Sequence, residues 1–402
     1  MQPRTKASEA LDAPNRRSGA PPIDMALNHG TYCSERCADV LRRHAGNISL
    51  RSYPAGDNGD LRRALAADAG VRPENVLVAN GSGPLLKTCI PFLIEREIRR
   101  SATRTLRHLL KRTAYPIITT RLTYSKVPAS GVRVGLRCEL LPLHPENGFA
   151  LDVGMLESRL SRQDGLVYLC NPNNPTGNVL ITRQELGPLL TRFPDSLFFI
   201  DEAYVHYLEE SPNTRVADLV LRHPNLMVLR SFSFAYGLAS VRVGYAMGDA
   251  TVVAQMEAKM TPHRVGQLAA ELAMASLEDG GHLGFVRHQT ARERARLMAA
   301  IGAHRALEAY PSQTNFILCR ARGAWSGAKI HDALLARGVR VKAFEPFGDE
   351  RYDDYFRVTV GLPAENTCFI EQLDALMSPR RREEPSRTAA PAVRQVELSE
   401  LA

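Results

Sequence analysis

The sequence predicts an α/β protein, with a mostly parallel sheet covered by helices on both faces and a smaller α/β domain after it. Two observations carry that expectation. Between residues 75 and 245, short apolar runs alternate with helical patterns, the order from which parallel sheets are built. Beyond 245, a long helical stretch leads to three further apolar runs around one more helix. A chain of 402 residues with 44% hydrophobic and 23% charged content can bury such a core and is ordinary in composition.

In order, residues 1–25 are rich in Ala, Pro, Arg and Ser without periodicity and read as a disordered tail. A helix follows at 34–45, with Ser34 as N-cap, Glu35 early and arginines late. Tyr53-Pro54 opens a loop, and Asp60 caps a helix at 61–69 whose Leu61, Ala64 and Leu65 share a face. Residues 75–78 form a buried strand that runs into Asn80-Gly81-Ser82-Gly83 and a helix over 84–94. A strand, a small-residue loop and a helix start can cradle an anion, because free N–H groups and the positive end of the helix dipole converge there. Residues 95–114 are basic and helical in pattern, and read as a solvated face.

Strands are expected at 116–119 and 138–143, with an extended loop at 122–126 between them, then a helix at 153–161. The apolar strands 166–170 and 197–200 flank a helix at 183–192, and Asp201 stands where the second of them ends. A strand through Leu226 and Val228 passes through a small-residue loop into another at 241–246. Helices at 249–261, 263–279 and 281–309 follow, with a break at Thr261-Pro262. Strands at 316–319, 339–342 and 355–361 surround a helix at 326–337, and a last helix runs over 365–377. Residues 378–402 read as a second disordered tail. The expected division is a large domain at 54–278 and a small one from 26–53 and 279–377.

Several function classes fall away. No apolar run approaches the roughly 20 residues that span a bilayer, and the N-terminus has no apolar signal core, so a cytoplasmic protein without membrane partners is expected. Seven scattered cysteines read as reduced thiols, and Cys33 and Cys37 lack the further ligands a metal site needs. The net charge of +8 is concentrated in 96–112 and the tails, without interleaved aromatics, so no nucleic-acid partner is expected.

Three motifs remain: N-P-N-N-P-T-G at 171–177, D-E-A-Y at 201–204, and L-R-S-F-S-F-A-Y-G-L-A-S-V-R-V-G at 229–244. Together they resemble fold-type I pyridoxal-phosphate enzymes of aminotransferase class I/II, and among these the histidinol-phosphate aminotransferases, over about 27–377. The resemblance implies a fold-type I transferase and a dimer acting on an amino acid or amine. It implies pyridoxal 5'-phosphate or pyridoxamine 5'-phosphate as cofactor. It places Gly81, Ser82, Ser231, Ser233 and Arg242 near the cofactor phosphate, with Tyr53 reaching in from a partner subunit. Tyr124 would stack on the ring, Asn174 and Tyr204 would hold its oxygen, and Asp201 its nitrogen. That last pairing keeps the ring protonated as an electron sink. Arg357, in F-R-V-T-V-G, would bind the substrate carboxylate with its planar fork. Gly83 stands where the family has an acidic residue.

Phe234 stands where the family has the lysine that forms the Schiff base with the cofactor. A phenyl ring can neither form that bond nor carry a proton. Non-covalent cofactor binding is therefore expected, with non-standard or residual chemistry. Lys126 is the substitute base the sequence offers, because an extended segment would put it on one face with Tyr124; His206 and Tyr236 are weaker candidates. The alternative is a non-catalytic homologue, serving as scaffold or as partner subunit in a heterodimer with an active relative. A third reading, an anion- or nucleotide-binding module, has only the charge in its favour. Gly83 and the 95–114 segment read as changes near the same site, which favours a rebuilt pocket.

Overall fold

A computed structural model of the chain describes residues 21–45, 53–54, 58–111, 115–133, 136–209, 213–344 and 352–378. Of the tails expected at 1–25 and 378–402, residues 1–20 and 379–402 lie outside the described residues, as do the last three residues of 95–114. The first tail was expected to reach 25, but folded structure begins earlier. Ile23–Asp24 forms strand β1, and Met25 is buried.

The first helices are α1 (Glu35–His44) and α2 (Gly59–Ala69). Ser34 caps α1 by accepting the Arg36 N–H, as expected. The N-cap of α2 is Asn58, in the left-handed region with φ 49°, so Asp60 lies inside the first turn and is not the cap. Next come β2 (Val76–Ala79), α3 (Ser82–Arg99), α4 (Ala102–Lys111), β3 (Ile117–Thr120), α5 (Lys126–Arg133) and β4 (Cys138–Leu141). They are followed by α6 (Val153–Leu160), β5 (Leu166–Cys170), α7 (Arg183–Arg192), β6 (Leu197–Asp201), β7 (Leu226–Ser231) and β8 (Gly244–Met247).

The strands from β2 to β8 make one seven-stranded sheet in the order β2-β8-β7-β6-β5-β3-β4. Strands β3 to β7 pair in parallel, and β8 runs antiparallel to both its neighbours, so β2 points the same way as β7. All five residues of β5 and of β6 are buried, as parallel strands covered on both faces must be. Side chains alternate between two apolar layers. Val167, Leu169, Phe198 and Ile200 enter one, and Leu166, Tyr168, Leu197 and Phe199 the other.

The rest of the chain forms α8 (Ala250–Glu257), α9 (Gln267–Leu277), α10 (His282–Gly302), β9 (Leu307–Ala309), β10 (Phe316–Ala321), α11 (Gly327–Leu335), β11 (Val339–Arg340), β12 (Lys342–Ala343), β13 (Tyr355–Thr359) and α12 (Pro363–Met377). The expected helix 281–309 thus ends at Gly302 and its last residues become a strand. The expected strand 339–342 divides between two sheets: β11 pairs with β1, while β12 joins the antiparallel order β12-β13-β10-β9. A third apolar cluster, with Ile317, Ile330, Phe356 and Phe369, packs on that sheet.

Most of the described residues of 95–114 are exposed, as a solvated face should be, but the segment is not near the cradle. Helix α3 carries the chain about 26 Å away from Ser82 before α4 starts. Arg104 of α4 turns inward to the buried Glu97 and to Asp164, while Leu106, Leu109 and Leu110 are exposed.

Candidate active site

The parallel strands all end at one edge, and ligands in open α/β sheets collect outside such carboxyl ends. Five consecutive exits bring the expected residues together. Gly81 and Ser82 follow β2, Tyr124 follows β3, Asn174 follows β5, Asp201 closes β6, and Ser231, Ser233 and Phe234 lie at and after the end of β7. Arg357 comes from the other sheet, on β13.

Asp201 is 4% exposed. It accepts the Tyr168 hydroxyl at 2.9 Å and the Ala203 N–H at 3.1 Å, and no cationic side chain among the described residues pairs with it. Burial pushes its pKa up to about 6. Tyr168 was not among the expected site residues. Its signal was the one hydroxyl in the apolar run 166–170, on the same side of the strand as Cys170, whose register partner is Asp201.

Arg357 is buried as well. Its Nη1 donates to Asn174 Oδ1 and its Nη2 to the Ala26 carbonyl, both at 2.5 Å, and its Nε has no partner among the described residues. No carboxylate pairs with it among the described residues, and burial lowers its pKa. The guanidinium lies 5.2 Å from the centre of the Phe316 ring. Tyr204 meets Phe316 edge-on and stacks on Phe234 with ring centres 4.3 Å apart. The side chain at 234 therefore faces the site, and it presents carbon only. Tyr124 is half-buried, and burial together with the nearby Asp201 carboxylate pushes its phenol up to about 12.

At the other end, Gly81 has φ 97°, and a Cβ there would run into the Arg242 guanidinium. Arg242 is exposed, has φ 60° and donates to the Ala239 carbonyl. Ser82 opens α3, so the N–H groups of that turn and the Arg242 side chain converge on one place. The Ser231 hydroxyl accepts the Ser233 N–H at 3.1 Å. A Cβ on Gly83 would meet nothing within 4 Å, so the space beside this residue is open.

The other candidates are placed differently. Lys126 was expected in an extended segment, but it begins α5 and is exposed, with Nζ 5.9 Å from the Tyr124 ring centre. His206 is 1% exposed, and neither ring nitrogen has a hydrogen-bond partner. Burial and the surrounding Arg230, Arg215 and Arg287 push its pKa far down. Tyr236 is packed between Phe232 and His206. Tyr53 is 86% exposed, beside the His263 ring. A separate cavity of about 400 Å³, lined by Arg121, His144, Arg320 and Tyr352, contains none of the expected ligand residues. Among the described residues, no helix is long and apolar enough to cross a membrane, and no group of three or more His, Cys, Asp or Glu is placed to hold a metal ion.

Comparison with known proteins places the chain in a family and a fold. Residues 22–373 match the family of class I and II aminotransferases. Histidinol-phosphate aminotransferase 1 of Bacillus cereus is 30% identical over 364 residues, covering 90% of each chain. The aromatic amino acid aminotransferase of Nocardia farcinica is 35% identical over 359 residues, covering 88% of this chain and 91% of the relative. The histidinol-phosphate aminotransferase of Sinorhizobium meliloti, solved in complex with pyridoxal-5'-phosphate, has the same fold, with a TM-score of 0.71 at 22% identity over 89% of this chain and 92% of that one. A mostly parallel seven-stranded sheet with its polar residues gathered at one edge is thus the fold of a fold-type I transferase, and the chain belongs to the class I and II aminotransferase family.

Proposed function

We propose that this chain binds pyridoxal 5'-phosphate or pyridoxamine 5'-phosphate reversibly and acts on an amino acid or related amine, with Phe234 in place of the family's Schiff-base lysine. The observation that carries this reading is a pair of buried, opposite charges, Asp201 and Arg357, neither of which has an ionic partner among the described residues. An unpaired buried charge is costly. A ligand with a cationic ring nitrogen at one end and a carboxylate at the other would satisfy both.

The residues fit such a ligand. Asp201 would hold the ring N–H, and Tyr168 keeps its carboxylate turned to the site. Asn174 and Tyr204 would hold the ring oxygen, and Tyr124 would cover one face. Gly81, Ser82, Ser231, Ser233 and Arg242 would take the phosphate. Arg357 would fix the substrate carboxylate with its open Nε edge. When bound, the ring supplies an electron sink for the carbon beside the substrate's amine. Phe234 holds no proton for that carbon, so Lys126 Nζ is the group we name to move it. Tyr53 would cross to the partner subunit of a homodimer. A mass of one chain by light scattering at micromolar concentration would count against that.

Equilibrium dialysis against pyridoxamine 5'-phosphate tests the reading. Binding that dialyses away is expected at pH 8, and Asp201→Asn should weaken it ~10- to 100-fold, the worth of a hydrogen bond to a charged group. Affinity should fall as pH drops through about 6, where Asp201 takes up a proton. The ligand-free protein should show the opposite sign. Its Asp201 pKa lies above the ordinary 3.8, so that contribution to stability is complete below pH 3.8 and is lost as pH rises through about 6. No binding of either cofactor form at any pH would sink the proposal.

A further inference from the structure

The segment 25–31 crosses the site and touches both ends of it. We propose that Asn28 is a positioning residue, which aims the Tyr204 hydroxyl hydrogen at the ligand's ring oxygen. This rests on the binding reading above. The Met25 N–H donates to the Arg340 carbonyl of β11, and the Met25 carbonyl accepts the Thr359 N–H of β13, so the segment is held between the two strands. The Ala26 carbonyl accepts from Arg357. Two residues on, Asn28 is 1% exposed with φ 57°, a conformation asparagine tolerates. The Gly30 N–H then reaches the Ser233 carbonyl, and a Cβ at Gly30 would collide with the Phe234 carbonyl.

The hydrogen-bond directions follow from counting donors. Thr359 Oγ1 accepts the backbone N–H of Asn28 at 3.1 Å. Its own hydrogen goes to Asn28 Oδ1 at 3.0 Å. That orients the amide, so Nδ2 faces the Tyr204 oxygen at 3.1 Å. Asn174 is oriented in the same way. Its Oδ1 accepts from Arg357, so its Nδ2 faces the same phenol oxygen at 3.4 Å. Two amide donors therefore converge on the Tyr204 oxygen. Its own hydrogen has no acceptor among the described residues and is left for the ligand. The ligand atom it meets must be an acceptor, which is the chemistry of an ionised ring hydroxyl. Asn28 acts through Tyr204 and does not itself touch the ligand.

Asn28 also ties the segment to Thr359 and Asn315, so a purely structural role has to be separated. A structural change would alter affinity for any ring ligand equally. Pyridoxamine 5'-phosphate and its analogue lacking the ring hydroxyl make that separation by calorimetry. The wild-type protein is expected to favour the hydroxyl-bearing ligand by about tenfold. Asn28→Ala should cut that preference to about twofold and leave the analogue's Kd unchanged. In a Tyr204→Phe background, Asn28→Ala should no longer alter the ratio. Asn28→Gly, free of strain at φ 57°, guards against a variant that fails to fold. Equal weakening of both ligands by Asn28→Ala and Asn28→Gly, or no weakening, overturns the assignment while the binding reading stands. Failure of the wild-type protein to bind either ligand removes both.

Discussion

Phe234→Lys is expected to turn a cofactor that dialyses away into one that stays with the chain. With pyridoxal 5'-phosphate, water leaves as the amine and aldehyde join, and borohydride adds two hydrogens; after denaturation the chain mass should rise by one phosphopyridoxyl group, mapped to residue 234. The Phe234 side chain is stacked 4.3 Å from Tyr204, whose oxygen faces Asn174, so a lysine there starts from inside the candidate site. Exchange of the α-proton of a bound amino acid should rise by ~10²–10⁴, the usual contribution of a positioned proton-transfer group. The sequence favours a rebuilt pocket on two changes, Gly83 and the 95–114 segment. Helix α4 begins at the far end of α3, which leaves Gly83 alone beside the cradle and makes loss of one group at 234 the simpler account. Capture at another lysine, or loss of a native activity on introducing the lysine, would restore the rebuilt pocket.

Arg230→Leu is expected to destabilise the fold by about 3–5 kcal/mol, because it strands a buried carboxylate. Arg230 is 1% exposed, and its Nε donates to Glu202 Oε2 at 2.8 Å. Glu202 has no exposure, and its Oε1 accepts the Val216 N–H. The pair bridges the ends of β6 and β7, with Glu202 directly after Asp201 and Arg230 directly before Ser231. Replacing both members, as Arg230→Met with Glu202→Leu, should recover most of the loss, since the stranded charge is then gone. Urea midpoints of the single and double variants measure this. A single variant within about 1 kcal/mol of the parent would show that water or another cation already shares the carboxylate.

Elements whose pattern is local were legible. The capping hydroxyl of Ser34 and the apolar runs 166–170 and 197–200 each carry their own signal. The errors fell where long-range packing overrides local preference. Residues 339–342 look like one strand, but Val339 and Lys342 pair with different partners. Residues 307–309 continue a helical pattern, but β10 offers them an edge to pair with. Lys126 looked extended beside Tyr124, but the chain turns into α5 at that residue. Asn28 has no neighbouring motif to mark it, and the one hydroxyl in the run 166–170 marks Tyr168 only once its partner across the sheet is known. Their partners lie 176 and 33 residues away.

The sequence by itself determined the family, the parallel sheet and the residue types that its exits carry, because those depend on short motifs and on the period of apolar residues. It also determined that residue 234 holds no amine. Only the tertiary structure decided which groups stand unpaired and which way each hydrogen points. Asp201 and Arg357 are charges like any others in the sequence. They become a candidate ligand site because the fold buries both and, among the described residues, brings neither an ionic partner. The direction of the Tyr204 hydroxyl depends on Thr359, Asn28, Asn174 and Arg357, four residues from separate stretches that meet only when the two sheets and the N-terminal segment close on one another.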